Sequence, residues 1–261
     1  MSYISIQGLH KSYHNEANGK KEFIRVFVDF NLEVGQGEFL TVFGPNGCGK
    51  STLLSLLAGL ISADAGIVRI GGKPPQESNF GFIFQNYGDS LFPWRTLLDN
   101  VSFPLEVRGV SKRAARDKAK TFISDMGLSN LFDLEGAYPY QLSGGLQQLT
   151  AIARALVYAP DVLLMDEPFG SLDFQTRLFL QDGLMRLWER TKITIIFVSH
   201  EVNEALYLGN RMILLSRQPA RVRDVIENRL PTPRNHAILT TPEFSELRNR
   251  ALSSFTQELM L

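Results

Sequence analysis

Short, nearly continuous apolar runs recur along the chain: EFLTVFG at 38–44, then Ile67 to Ile70, Phe80 to Phe84, Val162 to Met165, Thr194 to Val198 and Met212 to Leu215. Runs of this length that are apolar on both faces read as strands covered on both sides, and helical patterns such as STLLSLLAGL lie between several of them. The alternation predicts an α/β fold with a largely parallel sheet. From Thr96 to Tyr158 no comparable strand occurs, and KRAARDKAKTFISDMG places Ala115, Ala119, Phe122, Ile123 and Met126 on one helical face. Ser111 is the expected cap of that helix and Gly127 its end. This middle region reads as a helical insertion. After Leu215 the pattern loosens through LPTPRNH, and the chain closes on an amphipathic stretch with Phe244, Leu247, Ala251 and Phe255 on one side, which reads as an appendage. The expected division is an α/β core of 1–85 and 159–215, a helical subdomain of 86–158 and a C-terminal extension of 216–261.

Composition narrows the function classes. With 27 Lys plus Arg against 27 Asp plus Glu, overall charge gives no sign of nucleic acid or an anionic membrane surface as main partner. The basic residues Lys112, Arg113, Arg116, Lys118 and Lys120 read as the solvated face of the amphipathic helix. Cys48 is the only cysteine, which excludes an intrachain disulfide or a cysteine metal cluster and fits a reducing compartment; it reads as a small residue filling a tight turn. The longest apolar run, LLSLLAGLI, falls far short of the ~20 residues that span a bilayer. The opening MSYISIQGLHKSYHNE lacks the pattern of a signal peptide, so association with a membrane is expected to come through partners.

The chemistry concentrates in three stretches. GPNGCGKST comprises Gly44, Pro45, Asn46, Gly47, Cys48, Gly49, Lys50, Ser51 and Thr52. Glycines there let main-chain N–H groups curl round an anion, while the lysine suits β- and γ-phosphates and the following hydroxyl suits Mg²⁺. An apolar run before it and a helical pattern after it are the context this loop requires. In DVLLMDEP, a strand ends on Asp166 and Glu167, where ligands gather in parallel sheets. Asp166 suits Mg²⁺ and Glu167 an attacking water, although a solvated acid before a proline turn would look the same. In QLSGGLQQLTAIARAL, Ser143 caps a helix whose first turn is bare at Gly144 and Gly145, which makes a second anion site.

These motifs together resemble the ATP-binding cassette family over nearly the whole chain, with LSGGL at Leu142 to Leu146 matching four of five positions of its signature. The resemblance implies a RecA-like P-loop core with an N-terminal antiparallel β portion and an inserted helical signature subdomain. It implies ATP and Mg²⁺ as ligands. Gln85 matches the residue that senses Mg²⁺ and γ-phosphate, and Ser51, Gln85 and Asp166 the metal site. Glu167 matches the catalytic glutamate, His200 the switch histidine, Ser171 to Asp173 the dimer-facing loop, and Tyr13 is the candidate for stacking on adenine. Two cassettes meet head to tail in that family, so a homodimer or a pair with a second cassette is implied, each ATP lying between one glycine loop and the other signature. Further implied partners are permease subunits on the cytoplasmic side of the inner membrane and, indirectly, an extracytoplasmic solute-binding protein, without nucleic acid. The loop of Phe92, Pro93 and Trp94 next to Gln85 is the implied docking place for a permease helix. Two departures stand out: Leu149 where a cation is common, and Ser199-His200-Glu201 in place of Thr-His-Asp.

SLFPWRTLLDNVSFPLEVRGV, LLMDEPFGSLDFQTR and the LSRQPARVRDVI tail resemble the subgroup serving nitrate, sulfonate, taurine and related small-anion importers. A mechanical ATPase on DNA or ribosomes would be expected to carry a long heptad insertion or a basic surface. A P-loop nucleotide kinase would need only the glycine loop, leaving the Ser143-Gly144-Gly145 helix start and His200 unused.

Overall fold

The computed structural model describes residues 2–17, 20–85, 90–170, 172–232 and 234–260, the side chains at 15–17, 20–22, 129 and 130 excepted. Ser171 and the segment Asn86 to Asp89 lie outside the described residues. The chain forms two compact units, Met1–Asn79 with Lys192–Leu261, and Phe80–Thr191.

The first unit holds two sheets. β1 (Ser2–Ala17), β2 (Lys20–Gly35) and β4 (Ala65–Ile70) form an antiparallel sheet in the order β2-β1-β4. Ile4 and Ile6 on β1 and Phe30, Leu32 and Val34 on β2 are buried at the period of two, and Leu9 and Phe27 are buried across the register shifts that interrupt it. The other sheet runs β3 (Phe39–Phe43) parallel to both β7 (Thr194–Val198) and β8 (Arg211–Leu215), with β9 (Val222–Glu227) antiparallel to β8. Every residue of β3 and β7 is buried, so these are strands covered on both faces. β3 leads through the glycine loop into α1 (Lys50–Leu57), which buries Leu53, Leu54, Leu56 and Leu57.

The C-terminal tail is not an appendage. α7 (Pro242–Leu259) is capped by Thr241 and buries Phe244 and Ala251 against Phe43, Met212, Leu214 and the residues Val202, Ala205 and Leu206 of α6 (Val202–Leu208). Its apolar stripe completes the core beside β8, which the amphipathic pattern showed but did not place.

In the second unit, β5 (Phe80–Ile83) pairs in parallel with β6 (Val162–Asp166). Gly81 is required there, because a Cβ would stand 2.5 Å from the Ala155 carbonyl oxygen. The intervening segment is helical: α2 (Leu97–Val107), α3 (Lys112–Asp125) and α4 (Gly144–Leu156), with α5 (Phe174–Thr191) following β6. α3 buries Ala115, Ala119 and Ile123 and ends at Gly127 in the left-handed region (φ 71°). Ser111 precedes that helix, but its hydroxyl makes no capping bond. Of the basic face, Lys112 and Arg116 pair with Asp99, and Lys120 pairs with Glu135. A solvated, charge-compensated surface results.

Candidate nucleotide site

The first unit supplies a glycine-rich loop that opens onto a helix start. Gly47 (φ 74°) and Gly49 (φ 120°) adopt left-handed backbone conformations that disfavour side chains, and a Cβ on Gly49 would fall 2.6 Å from Val26 Cγ1. Gly44 is as tightly held, its missing Cβ facing the Leu215 carbonyl oxygen at 3.0 Å and Cys48 Sγ at 3.2 Å. The loop leads into the first turn of α1, whose N–H groups have no intrahelical acceptor and lie at the positive end of the helix dipole. Lys50 is buried, and its ammonium donates to the carbonyl oxygens of Gly44 (2.9 Å) and Pro45 (3.0 Å). An ammonium has three protons, so one is left for an anion in the loop. Pro45 is buried, Asn46 and Ser51 are exposed, and Thr52 is half-buried. Burial pushes the Cys48 thiol up despite the neighbouring Lys50 charge, so the sulfur is a packed thiol rather than a nucleophile.

His200 is exposed at the end of β7, where Glu201 turns the chain into α6 by accepting from the N–H groups of Asn203 and Glu204, both at 3.2 Å. The change from Asp to Glu in that motif thus retains a helix cap. Tyr13 stands on β1, the residue 40% exposed, with Lys11 Nζ 5.3 Å from its ring centroid. An exposed aromatic face of this kind suits a stacked base.

The second unit supplies the acids and the other helix start. Asp166 is buried at the last position of β6, and Glu167 follows with φ 45°, a left-handed conformation that costs a non-glycine residue about 1–3 kcal/mol. Its Oε2 accepts a hydrogen bond from Gln85 Nε2 at 3.2 Å, joining two residues 82 positions apart. Ser143 caps α4 by accepting from the Leu146 N–H (3.4 Å). Ser143 and Gly144 are exposed, while Gly145 sits so near α5 that a Cβ would meet Thr176 Cγ2 at 2.7 Å. Hydrogen bonding from the Thr176 side chain, and next from the Thr176 N–H that Asp173 Oδ1 accepts at 3.0 Å, holds the Asp173 carboxyl below the usual range. Leu149, the departure from a cation, is buried and lines an apolar cleft with Ile152, Phe179 and Leu184.

Each unit thus carries an anion-receptive helix start, at α1 in one and α4 in the other, and the residues singled out from the sequence, Tyr13 within β1 excepted, fall near strand ends and helix starts of both. Residues 27–170, more than half of the chain, match the profile of the ABC transporter family. The chain belongs to that family. An uncharacterized ABC transporter ATP-binding protein of Methanocaldococcus jannaschii is 42% identical over 259 residues, 98% of this chain and 92% of the relative. An aliphatic sulfonates import ATP-binding protein of Bacillus cereus is 40% identical over 256 residues, 97% of this chain and 95% of its own length. Among solved structures, a dimeric ATP-binding cassette in a post-hydrolysis state bound to ADP and Pi is similar with a TM-score of 0.75 and 29% identity, over 87% of this chain and all of that one. This ABC chain is an ATP-binding ATPase that powers transport, with the P-loop α/β fold. Among the described residues no helix is long and apolar enough to cross a membrane.

Two features escaped the sequence. The strain at Glu167 is invisible to composition and periodicity. Gln218, beyond the last motif, donates its side-chain amide to the Gly47 carbonyl, and nothing in the SRQPAR stretch signals a partner 171 positions away.

Proposed function

We propose that this chain is the ATP-hydrolysing subunit of an importer for a sulfonate or a related small anion, such as taurine or nitrate. The supporting observation is the match, end to end, to sulfonate-import ATP-binding proteins. In this reading two cassettes pair, as a homodimer or with a second cassette, and bind permease subunits on the cytoplasmic side of the inner membrane. A solute-binding protein outside delivers the anion, which this chain does not touch.

Gly44 to Thr52 then hold the phosphates, Lys50 turning its remaining proton to the β- and γ-oxygens, while Ser143, Gly144 and Gly145 of the facing copy close over the γ-phosphate. Tyr13 stacks on adenine, and Asp173 lies in the loop facing the partner. Glu167 polarises the attacking water, with Gln85 holding its carboxylate and His200 contacting the γ-phosphate. The Ser51 hydroxyl, the Asp166 carboxylate and the Gln85 amide oxygen are hard oxygen donors of the kind Mg²⁺ takes alongside phosphate and water. Mg²⁺ would neutralise charge on the phosphate oxygens.

A strain lacking this chain should fail to grow with an alkanesulfonate or taurine as sole sulfur source, or with nitrate as sole nitrogen source, and should recover with the wild-type copy. Normal growth of the deletion strain on all of them would overturn the substrate class.

The loop read as the permease docking place is held in order by one buried side chain. Asn100, fully buried, accepts from the Phe92 N–H (2.9 Å) and donates to the carbonyls of Phe92 (3.1 Å), Arg95 (3.0 Å) and Thr96 (3.1 Å). That clamp fixes the loop so that Phe92 packs edge-on against Phe103 at 4.8 Å while Trp94 is left 72% exposed. An aromatic held out from an ordered loop suits a partner anchor. Trp94→Ala should therefore leave the melting temperature of the isolated chain within about 2 °C, since surface changes cost under about 0.5 kcal/mol, yet weaken co-purification with the permease several-fold. Unchanged assembly would remove Trp94 from the interface.

A further inference from the structure

The segment after β8 runs alongside the glycine loop. Leu215 closes over Gly44, whose absent Cβ would stand 3.0 Å from the Leu215 carbonyl oxygen. Three residues on, Gln218 Nε2 donates to the Gly47 carbonyl oxygen at 2.7 Å. The turn bearing Gln218 is tied down on several sides. Ser216 and Arg221 exchange hydrogen bonds, Ser216 N–H to the Arg221 carbonyl (2.9 Å) and Arg221 N–H to Ser216 Oγ (3.0 Å). The Ala220 N–H donates to the Val26 carbonyl at 2.7 Å, and Val26 is the residue a Cβ on Gly49 would strike. From α7, buried Glu258 accepts the Arg217 N–H at 2.8 Å and pairs with Arg223 at 3.8 Å, while Phe255 packs 4.9 Å from Phe43, next to Gly44.

We propose that Gln218 is a positioning residue for ATP binding, through which the C-terminal extension holds the phosphate loop in its receptive shape. Gly47 C=O and Cys48 N–H belong to one planar peptide. The Cys48 N–H donates to the Pro45 carbonyl at 3.3 Å, and Gln218 holds the opposite end of the same plane. A left-handed glycine followed by a second one at Gly49 gives this peptide freedom to rotate, and rotation would swing the succeeding N–H groups away from an anion. Pinning it at both ends lowers the cost of ordering the loop when ATP arrives. The extension thus acts on the nucleotide site without touching nucleotide.

The inference rests on Gly44 to Thr52 being the phosphate loop, and the test separates the two. Cys48, buried in the loop and the only thiol of the chain, reports loop opening through its alkylation rate with N-ethylmaleimide, independently of nucleotide. Gln218→Met keeps length and bulk but has no donor, and Gln218→Glu sets an acceptor against the Gly47 carbonyl. Loss of one hydrogen bond should speed Cys48 alkylation in the Met variant about threefold and weaken ATP affinity by about the same factor, with the turnover at saturating ATP unchanged. The Glu variant should exceed the Met variant in both. Gln218 is exposed, so both variants should melt as wild type does. A purely space-filling role would leave Gln218→Met identical to wild type in alkylation and in ATP affinity, and that result would overturn the proposal, as would a lowered turnover with KM unchanged. Lys50→Ala serves as the control: if it binds ATP like wild type the phosphate-loop reading fails, whereas the alkylation rates of the Gln218 variants without nucleotide still decide whether Gln218 pins the loop.

Discussion

Glu167→Gln should lower ATP turnover about a hundredfold or more while leaving ATP affinity near that of wild type. The substitution keeps the shape of the side chain and its position after β6, and an amide oxygen can still accept from Gln85 Nε2, the bond that now spans 3.2 Å. What it removes is the anionic oxygen able to polarise water. The left-handed backbone at Glu167, φ 45°, is equally costly for Gln, so stability should change little and the effect should fall on kcat alone. Phosphate release read beside nucleotide binding checks it. Equal turnover in the two proteins would take the catalytic role away from Glu167.

Lys50→Ala should act on the other constant, weakening ATP binding about tenfold to a hundredfold, the range for a lost charge-assisted hydrogen bond. The ammonium is buried and bridges the Gly44 and Pro45 carbonyls, so its loss removes both the cation and a clasp of the loop. The proposed sharing of sites between two copies adds a second consequence. In a mixture of Lys50→Ala and Ser143→Arg chains, each inactive alone, a mixed pair has one site with an intact loop from one copy and an intact α4 start from the other. Such mixtures should regain ATPase activity as mixed pairs form. No recovery at any ratio, with both chains folded, would mean that the sites are not shared between copies.

The strands of the core were readable because burial on both faces leaves a short apolar run, but the run from Ile67 to Ile70, read the same way, lies in the antiparallel sheet with Ile67 half exposed. FLTVF, VLLMD and TIIFV are wholly buried in the structure, as their nearly continuous apolarity leads one to expect, and they carry the polar residues Thr41, Asp166 and Thr194 inside with them. The glycine loop stood out for a local reason: its closely spaced glycines take left-handed conformations at Gly47 and Gly49 that side chains disfavour, while its distant neighbours Val26, Leu215 and Gln218 left no mark in the pattern. The helical insertion was legible as an absence of strands, but Ser111 was misjudged, since a capping bond depends on a rotamer that propensity does not determine. Leu149 read as a missing cation, and only packing showed it to be part of an apolar cleft with Ile152 and Leu184.

Local order determined which residues could be strand, loop, cap or cradle, because hydrophobic period, glycine conformation and helix capping act over a few positions. Tertiary structure decided what these residues meet. It set Gln85 on Glu167, clamped the loop at Phe92, Arg95 and Thr96 onto Asn100, brought the apolar stripe of Phe244 and Ala251 onto β8, and placed Gln218 on Gly47. A hydrogen bond across 82 or 171 residues leaves no periodicity in the sequence. Its partners are selected by the path of the chain through the fold, and that path emerges only when the core is packed.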